Sequence, residues 1–501
     1  MIAPRLTVVG HCTSDTVRIL CCVDRRAAGP PRLARLAWQA SGTTGFVDVP
    51  LSSAPPYEIG VFELVNLPES AEVTYGIAIG ENSSSLPAAD RILQASEVRT
   101  FRLLPKHRPP RVAVVSCNGA FEVDDAQRRY DMWRGLRCQI EAGNVDLIIH
   151  VGDQVYADSL VARHSKMARA ATAEDAAVQT LTEEYRRLYV EQSWNMPEVA
   201  AVLTSCPSIM MWDDHDIDDG WGSNDHDDRP WRRLFFSAAR QAFTEFQASL
   251  NPPGVDASSF ACGFIHGDLA SLLLDGRSHR LYKEGRILGT AQLEVARKWL
   301  EALPATIRRL YLVLGIPPIH AKLSTVVAIL KWLPIPEDYS SDLRDAWVSR
   351  RNRAECAELM KILFGFCDAH PGTDLTILSG DVHVANIGRL ERIGAGGEAD
   401  RRAGVVWQVT SSGIGSPPPD GLAGWLIEKV TRAPVDLGAG VQGRLIPITL
   451  HGNDLMNRRN FALLKLDDGH DWHREAALRV SLFGEGLQEP LDFLLAGRAK
   501  A

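Results

Sequence analysis

The sequence predicts an α/β (α+β) region preceded by an all-β domain, and three observations support this fold class. Alternating apolar runs separated by turn-rich stretches fill residues 1–105, which is typical of an antiparallel β domain. A Pro-rich stretch, KHRPPR at 106–111, then marks a boundary. In residues 106–501, short apolar strands alternate with helical patterns, which favours a layered domain of two sheets covered by helices.

The N-terminal β domain is predicted from its strand and turn signals. The runs TVRILCCV, GVFELVNL and VTYGIAIG are separated by AAGPP, SSAPP and GENSSSLP, which are rich in turn-forming residues. The stretch GVFELVNLPESAEVTYGIAI has the pattern of two strands of an immunoglobulin-like or fibronectin-like sandwich.

In the second domain, strands are predicted at the short apolar runs and helices at the amphipathic segments between them. The predicted strands are RVAVVSC, VDLIIHVGD, SIMMWDDHD, LASLLLDGR, RLYLVLG, LTILSGD and GVVWQVTSSG, with NFALLKLD and ALRVSLFG as a late hairpin on the sheet edge. The predicted helices are Asp124–Ala142, capped by Asp124 or Asp125, the patterned segment 159–200, Asp228–Gln247, Thr290–Ala302 and Leu343–Phe366.

The composition is that of an ordinary globular protein of 501 residues, 45% of them hydrophobic and 23% charged. A net charge of −8 argues against a nucleic-acid-binding protein, which needs a basic face. The 9 cysteines show no framework spacing, which favours a reducing compartment. Signal-peptide and membrane-spanning patterns are not evident, so we expect a cytoplasmic protein without a transmembrane segment, while its oligomeric state stays open.

Four of the predicted strands end in side chains that can bind a metal. They are the runs at 114–117 (VVSC), 147–158 (LIIHVGDQVYAD), 210–216 (MMWDDHD) and 375–383 (LTILSGDVH). Ligands of open α/β sheets bind beyond the carboxyl ends of the strands, so the four polar ends are expected to share one crevice. Oxygen, imidazole and thiolate donors would meet there, from Cys117, Asp153, Tyr156, Asp214, His215, Asp381 and His383.

The segment GDQVYAD carries most of this prediction. Gly152 allows a tight turn after the buried strand, and Asp153 then projects from the strand end, where its two oxygens could bridge two cations. Tyr156 could contribute a phenolate to a hard trivalent metal. The alternative is that Asp153 caps the following helix, which is common at strand ends.

The segment 212–225, WDDHDIDDGWGSND, is unusually acidic. Its carboxylates crowd around His215 and His226, and their mutual repulsion would be offset by a bound cation. A solvated acidic loop is the alternative, although a buried strand leads directly into this one, and the calcium-binding EF-hand spacing is absent. The acids concerned are Asp213, Asp214, Asp216, Asp218, Asp219, Asp225 and Asp227.

Two shorter signals complete the predicted metal site. Asp381 and His383 lie two residues apart, and alternate residues of an extended backbone face the same way, so both are expected to reach one site. Cys117 follows a strand end, where its thiolate would need a nearby positive charge to ionise. The alternatives are a structural histidine and a small buried cysteine, since most free cysteines behave as apolar side chains.

These motifs resemble those of the PhoD-like metallophosphatases, the alkaline phosphatase D family, within the calcineurin-like metallophosphoesterase superfamily. The resemblance is carried by HVGDQVYAD, WDDHD and LSGDVH, with SCN at 116–118, LLLDGRSHR at 272–280, ILGTAQLEVARKWL and DAWVSRRNR at 345–353. It covers roughly residues 111–412. It implies a metallophosphoesterase-type β-sandwich flanked by helices, preceded by an immunoglobulin- or fibronectin-like domain.

The resemblance also implies the roles of individual residues in a site with two or more metal ions. The ligands of the first metal, expected to be Fe³⁺, would be Cys117, Asp153, Tyr156 and His383. The ligands of the second, expected to be Ca²⁺ with Mn²⁺ or Zn²⁺ as alternatives, would be Asp153, Asp214 and Asp381. His215 would be the catalytic residue, donating to a phosphate oxygen or protonating the leaving group.

Two assignments stay open. Relatives often carry Asn where this chain has Asp218, Asp219 and Gly220, so an additional ligand from that position could be lost or replaced by Asp219. Whether Asp214 or Asp219 binds the second metal stays open. His320, in LGIPPIHAK, follows a strand at a place where the wider superfamily often supplies a metal-binding histidine, so it is a further candidate ligand.

The resemblance implies an enzyme that hydrolyses phosphoric monoesters, phosphodiesters or both with a water activated by two metal ions. Its substrate would be a small-molecule phosphate ester. The apolar segment 324–336, STVVAILKWLPIP, is either a buried helix or the lining of an approach suited to a lipid or aryl phosphodiester. The alternative function is a non-catalytic metal- or phosphate-binding module that uses the same site.

Overall fold

The described part of the chain is a mixed α/β structure. The computed structural model describes residues 3–26, 32–95, 97–320, 346–394, 398–400, 404–419, 434–448, 453–466 and 477–495. Its strands are β1 (Leu6–Cys12), β2 (Val17–Asp24), β3 (Leu33–Ala40), β4 (Thr43–Pro50), β5 (Ser52–Ala54), β6 (Tyr57–Leu64), β7 (Glu72–Gly80), β8 (Arg99–Arg102), β9 (Val112–Val115), β10 (Leu147–Val151), β11 (Ser208–Met211), β12 (Cys262–His266), β13 (Leu269–Leu274), β14 (Arg309–Leu314), β15 (Asp374–Ser379), β16 (Asn386–Arg392), β17 (Val405–Thr410), β18 (Val435–Gly438), β19 (Val441–Leu445), β20 (Asn460–Leu466), β21 (Leu478–Gly484) and β22 (Leu491–Leu495). Its α-helices are α1 (Ala89–Leu93), α2 (Asp131–Glu141), α3 (Asp158–Ala170), α4 (Glu174–Arg187), α5 (Pro197–Ser205), α6 (Pro230–Phe246), α7 (Thr290–Glu301) and α8 (Arg353–Ala369).

The N-terminal strands form two four-stranded sheets, as the β pattern of this region predicts. One sheet has the order β1-β2-β6-β5 and the other β4-β3-β7-β8, with antiparallel neighbours throughout. The predicted runs TVRILCCV, GVFELVNL and VTYGIAIG correspond to β2, β6 and β7. The immunoglobulin-like character of this region and the division into domains 1–105 and 106–501 stay predictions.

The following residues form two larger sheets. A six-stranded sheet has the order β11-β10-β9-β20-β21-β22, and an eight-stranded sheet has the order β12-β13-β14-β15-β17-β16-β19-β18. Strands β9, β10 and β11 run parallel, as do β13, β14, β15 and β17. The four polar-ended runs therefore lie on two sheets, three on the first and one on the second.

Alternation along the strands divides the core into layers. Leu147, Ile149 and Val151 of β10 belong to one hydrophobic cluster together with Val313 of β14, so the two sheets face each other. Ile148, between them, belongs instead to a cluster with side chains of α2 and α6. Residues of β13 and β14 likewise share a third cluster with α7 and α8. The arrangement is helix, sheet, sheet, helix, because both faces of each sheet are apolar and must be covered.

The predicted C-terminal hairpin is present and extends the six-stranded sheet. Strands β20 and β21 pair antiparallel, and β20 also pairs with β9, so the hairpin is hydrogen-bonded into the sheet beside the strand that leads to Cys117. Strand β22, which the sequence pattern did not indicate, forms the edge.

Three predicted helices differ from the observed ones. The helix predicted from Asp124 begins at Asp131, since the Asp125 carboxylate accepts the N–H of Gln127 and its carbonyl accepts that of Arg128, which makes a turn instead. The segment 159–200 is divided among α3, α4, a π-helix and α5. The helix predicted from Leu343 begins at Arg353, and its first predicted residues lie outside the described ranges, as does the apolar segment 324–336.

Asp146 attaches the Pro-rich connection to the start of β10. Its buried carboxylate binds the guanidinium groups of Arg108 and Arg111, at 2.6 and 3.0 Å, and the N–H of Arg111 at 2.7 Å. Burial alone would raise the pKa of Asp146, but these hydrogen bonds outweigh it and lower the pKa below the usual aspartate value. The ionised carboxylate therefore stabilises the folded chain.

Asp146→Asn is expected to lower the free energy of unfolding by about 2 kcal/mol near neutral pH, because two arginines lose their charged partner. A depressed pKa gives stability that is present above the unfolded-state pKa and lost as the pH falls through the folded-state pKa. The difference in free energy of unfolding between the parent and Asp146→Asn should thus become smaller in strong acid. Urea unfolding of both proteins across the acid range measures it, and a constant difference would contradict the prediction.

Candidate active site

The candidate site lies where the carboxyl ends of strands from both large sheets meet. Strand β9 leads to Cys117, β10 to Asp153 and β11 to Asp214, and the second sheet contributes Asp381 beyond β15. One ligand atom each from Asp153, Asp213, Asp214 and Asp381 lies within 4.8 Å of the others. Residues far apart in sequence are therefore brought together, in the way the strand-end rule predicts.

The backbone at the strand ends is left-handed. Cys117, Asp153, Asp381 and His383 have φ of 57°, 55°, 70° and 53°, and they are four of the eight described non-glycine residues with positive φ. Such conformations cost on the order of 1 kcal/mol or more each and concentrate at functional sites. The expectation that Asp381 and His383 converge through an extended backbone is wrong: strand β15 ends at Ser379, and a turn aims both side chains.

Glycines allow the acidic loop to approach the strand ends. A Cβ on Gly152 would lie 2.5 Å from Cβ of Asp213, and one on Gly315 would lie 2.7 Å from its Oδ2. Gly152 also has a φ of 88°. The tight turn expected at Gly152 is therefore present, and it is needed for close packing as well as for backbone conformation.

Cys117, Tyr156 and His383 lie beside the carboxylates. The Cys117 sulfur is 3.2 Å from Oδ2 of Asp153, and the Tyr156 hydroxyl is 3.4 Å from Nε2 of His383. Ser412 joins the two pairs: its hydroxyl is 3.1 Å from the sulfur and accepts the N–H of His383 at 2.8 Å. The four residues assigned to the first metal are thus neighbours in two contacting pairs, but Cys117 and His383 belong to neither described group of ligand atoms that lie within 4.8 Å of one another.

The protonation of these groups depends on whether a cation is near. Burial raises the pKa of Cys117 to about 12 and that of Tyr156 well above its usual value. Burial, with the negative charge of Cys117 and Asp214, also raises the pKa of Asp153. Burial lowers the pKa of His383 to about 4, which leaves a neutral imidazole able to bind metal. A cation placed here would favour the anionic forms of the other three groups.

Arg277 lies inside the carboxylate cluster. Its fully buried guanidinium forms an ion pair with Asp213 and lies 3.4 Å from Oδ1 of Asp214 and 3.7 Å from Oδ1 of Asp381. It also donates to the carbonyl of Trp221 at 2.9 Å. Burial favours the neutral acid at Asp214, but the positive charges of Arg277 and His215 outweigh it and lower the pKa of Asp214 to about 2.

Most carboxylates of the acidic loop have partners in the protein. Asp216 accepts the N–H groups of Asp153 and Asp213, at 2.8 and 2.9 Å, so it joins two strand ends. Asp218 and Asp227 both form ion pairs with the buried guanidinium of Arg232, at 2.7 and 3.0 Å. Protein cations and backbone N–H groups therefore offset much of the negative charge of this loop, so its acid density alone does not require a bound metal ion.

Asp214 and Asp219 remain as the open pair. Asp214 belongs to the four-carboxylate group and also to a second group with His215 and Asp219, whose ligand atoms lie within 4.8 Å of one another. Asp219 belongs only to the second group. This placement favours Asp214 as the residue shared with Asp153 and Asp381.

His215 is oriented by its neighbours. Its Nδ1 lies 3.0 Å from Oδ2 of Asp158, whose other oxygen accepts the N–H of Asp219 at 2.8 Å. The His215 ring stacks on Tyr156, with 4.3 Å between ring centroids. Burial alone would lower the pKa of His215, but Asp158 and Asp214 raise it well above its usual value. An imidazole oriented by Asp158 is thus held beside Asp214 and Asp219.

Two buried oxygens test whether the residues fit metal ions. Oδ1 of Asp153 and Oδ1 of Asp214 accept no hydrogen bond from the described residues, although Arg277 lies 3.4 Å from the latter. Buried carboxylate oxygens without donors are costly unless a cation binds them. The donor set, rich in carboxylate and completed by thiol, phenol and imidazole, is compatible with metal binding.

The sequence profile of the PhoD-like phosphatase family matches residues 112–434 of the chain. The chain belongs to the PhoD-like phosphatase family. Membership of this family suggests phosphoesterase activity, and the acidic groups of this PhoD-like protein are compatible with divalent metal ions.

Two proteins similar to this PhoD-like chain are distant from it in sequence. It is 23% identical over 411 residues to the uncharacterized protein YGR266W of Saccharomyces cerevisiae, a match that covers 63% of this chain and 58% of the yeast protein. The chain thus spans less than two thirds of that relative's length. The solved structure of PhoD matches 99% of this chain and 93% of its own, with a TM-score of 0.58 and 15% identity, which shows a shared fold.

The segments LLLDGRSHR at 272–280 and DAWVSRRNR at 345–353 form hydrogen bonds with buried residues near the site. Asp275 accepts the indole N–H of Trp212 at 2.7 Å, and its own N–H donates to Gln292 at 2.7 Å. The indole of Trp347 donates to the carbonyl of Ile316 at 3.1 Å.

Among the described residues, every helix is too short or too polar to cross a membrane.

One alternative for Asp153 is wrong, and the assignment of His320 stays a prediction. The alternative that Asp153 caps the next helix is wrong, because the N-cap of α3 is Ala157 without a side-chain hydrogen bond. His320 lies at the end of a described range, half-buried, and belongs to neither group of ligand atoms found in the described chain, so its role stays a prediction.

Sequence reasoning missed four residues at the site. Ser412 follows strand β17, so the strand-end rule applied to GVVWQVTSSG could have found it. Asp158 ends the apolar run 147–158 and Arg277 lies in LLLDGRSHR at 272–280, but neither position alone indicates a partner at the site. Asp213 was counted among the acids without being separated from them, because only packing shows which carboxylate meets Arg277.

Proposed function

We propose that the protein is a metal-dependent hydrolase of phosphoric esters, acting on small-molecule monoesters, diesters or both. The observation that carries the proposal is the meeting of Asp153, Asp214 and Asp381 within 4.8 Å, at strand ends that also hold Cys117 and His383. The family match supports the reaction class.

We assign the ligands in two sets that share Asp153. Those of the first metal, proposed to be Fe³⁺, are Cys117, Asp153, Tyr156 and His383. Those of the second, proposed to be Ca²⁺ or Mn²⁺, are Asp153, Asp214 and Asp381. When bound, two such ions hold the phosphate, acidify a water and offset the negative charge that develops on phosphorus.

The chain itself supplies orientation and a proton. His215 lies beside Asp214 and stacks on Tyr156, and its Nε2 would donate a proton to the departing alcohol oxygen. Asp158 holds Nδ1 and so fixes the ring orientation. Arg277 holds the carboxylates of Asp213 and Asp214 in place, which keeps the ligand atoms oriented before substrate arrives.

Hydrolysis of two substrates tests the proposal. The purified protein, supplied with iron and with calcium or manganese, should release nitrophenol from p-nitrophenyl phosphate, from bis(p-nitrophenyl) phosphate or from both. The ratio of the two rates decides between monoester and diester preference. Stoichiometric metal binding without turnover across a panel of esters would instead support a non-catalytic metal- or phosphate-binding module.

His215→Asn should lower kcat by about 100- to 10,000-fold while bound metal stays at the parent level, since the imidazole donates a proton and is not among the assigned ligands. Elemental analysis and steady-state kinetics on the same preparation measure both quantities. The matched control is His107→Asn, which changes an exposed histidine outside the site. A loss of metal equal to the loss of rate would show that His215 acts as a ligand.

A further inference from the structure

An exposed phenylalanine lies next to the candidate site. Phe121 is 59% exposed and belongs to the short 3-10 helix Ala120–Glu122, which follows the turn at Cys117. Its ring meets the ring of Tyr156 edge-on, with 5.6 Å between centroids. Tyr156 in turn stacks on His215. A surface aromatic side chain is thus connected to the proposed proton donor through one intervening ring.

The backbone holds Phe121 firmly in this position. The N–H of Gly119 donates to the Ser416 hydroxyl at 3.0 Å, and that hydroxyl lies 2.7 Å from the Tyr156 hydroxyl. The N–H groups of Ser416 and Gly415 both donate to the carbonyl of Cys117 at 3.0 Å. The segment that carries Phe121 is therefore fixed to the same residues that surround the metal ligands.

Phe121 differs in its surroundings from a second exposed phenylalanine of the described chain. Phe46, another exposed phenylalanine, lies on β4 of the N-terminal sheets with the Arg35 guanidinium 4.4 Å from its ring centroid. Phe121 instead leaves more than half of its surface to solvent beside a partly open site, where the side chain of His215 is 21% exposed. A rigid apolar surface at such a place can bind the part of a substrate that does not react.

We propose that Phe121 determines specificity by contacting the organic group of the ester, and that it favours aryl over small polar alcohols. The inference rests on the proposed function. If His215 protonates the leaving oxygen, the organic group of the ester begins at His215 and can reach the exposed ring of Phe121, whereas the ring of Tyr156 is only 7% exposed and is covered by these two neighbours. A planar aryl group can pack against the Phe121 ring edge-on or offset, whereas a polyol gains little from it.

The experiment compares p-nitrophenyl phosphate with glycerol 3-phosphate. Phe121→Ala should raise KM for the aryl ester about three- to tenfold, since an aromatic contact contributes about that much binding. KM for glycerol 3-phosphate and both kcat values should stay within about twofold, because the contact is the same in ground and transition states. Phe121→Trp should keep the low KM for the aryl ester, and Phe46→Ala should change neither substrate.

The outcomes separate this inference from the proposed function. Equal changes for both esters in Phe121→Ala would show that the side chain only supports Tyr156, and would overturn the inference while leaving phosphoesterase activity intact. Hydrolysis of glycerol 3-phosphate without hydrolysis of the aryl ester by the parent protein would do the same. Hydrolysis of bis(p-nitrophenyl) phosphate but of neither monoester would overturn the inference for monoesters alone, and hydrolysis of none of the three esters would overturn the proposed function together with the inference.

Discussion

Asp153→Ala is expected to remove bound metal and to lower phosphoric ester hydrolysis on the order of 1,000-fold or more. Asp153 is the residue that both proposed ligand sets share, and its Oδ1 accepts no hydrogen bond from the described residues. It also contacts Cys117 at 3.2 Å, so its loss separates the thiol from the carboxylates. Elemental analysis of the purified variant and an aryl phosphate assay measure the two effects.

A stability measurement separates this loss from misfolding. Burial among Asp213, Asp214 and Asp381 disfavours the charged form of Asp153 in the absence of metal, so its removal should cost little stability: the free energies of unfolding of the metal-free variant and the metal-free parent should differ by no more than about 1 kcal/mol. Asp146→Asn is the matched control: it changes another buried aspartate, which is paired with arginines, and should keep metal content and activity. Unchanged metal and hydrolysis in Asp153→Ala would refute the proposed site.

Arg277→Met should have the largest effect on stability, lowering the free energy of unfolding of the metal-free protein by about 3–5 kcal/mol. The Arg277 guanidinium is fully buried, and it compensates the carboxylate of Asp213 and lies close to Asp214 and Asp381. Methionine fills much of the same volume but leaves these carboxylates without their cation. Urea unfolding in the presence of a chelator measures the change.

Two further variants identify the cause of this destabilisation. Arg277→Lys keeps the charge but cannot form a planar two-pronged contact, so it should recover only part of the loss. Arg297→Met removes an arginine whose partners Glu294 and Glu301 lie on the surface of α7, and should have no measurable effect. If Arg277→Met were as stable as the parent, the carboxylates would have to be neutral in the metal-free protein.

The strand ends were the most predictable part of the molecule. Short apolar runs that end in polar residues indicate β9, β10, β11 and β15, and the rule that ligands bind beyond the carboxyl ends of strands predicts that Asp153, Asp214 and Asp381 lie together, as they do. These signals are local, since a buried strand and the turn after it are encoded by adjacent residues.

What could not be predicted depends on packing between distant segments. The ion pair of Arg277 with Asp213 joins two loops on different strands, and no spacing rule connects them. Asp216 accepts two backbone N–H groups, but in the sequence it cannot be distinguished from the neighbouring aspartates. The expectation that Asp381 and His383 face the same way holds only for an extended backbone. The strand ends at Ser379, and the backbone of His383 is left-handed.

The pairing of β20 with β9 has a consequence for the order of events during synthesis. Strand β9 carries the segment that ends at Cys117, and one of its two neighbours comes from Asn460–Leu466. While a ribosome is still making the residues between β9 and β20, that side of β9 has unpaired N–H and C=O groups, which can pair with the strands of other chains. Non-local pairing of this kind is also slow to form. The nascent chain therefore carries most of its proposed metal ligands well before the sheet that positions them can close.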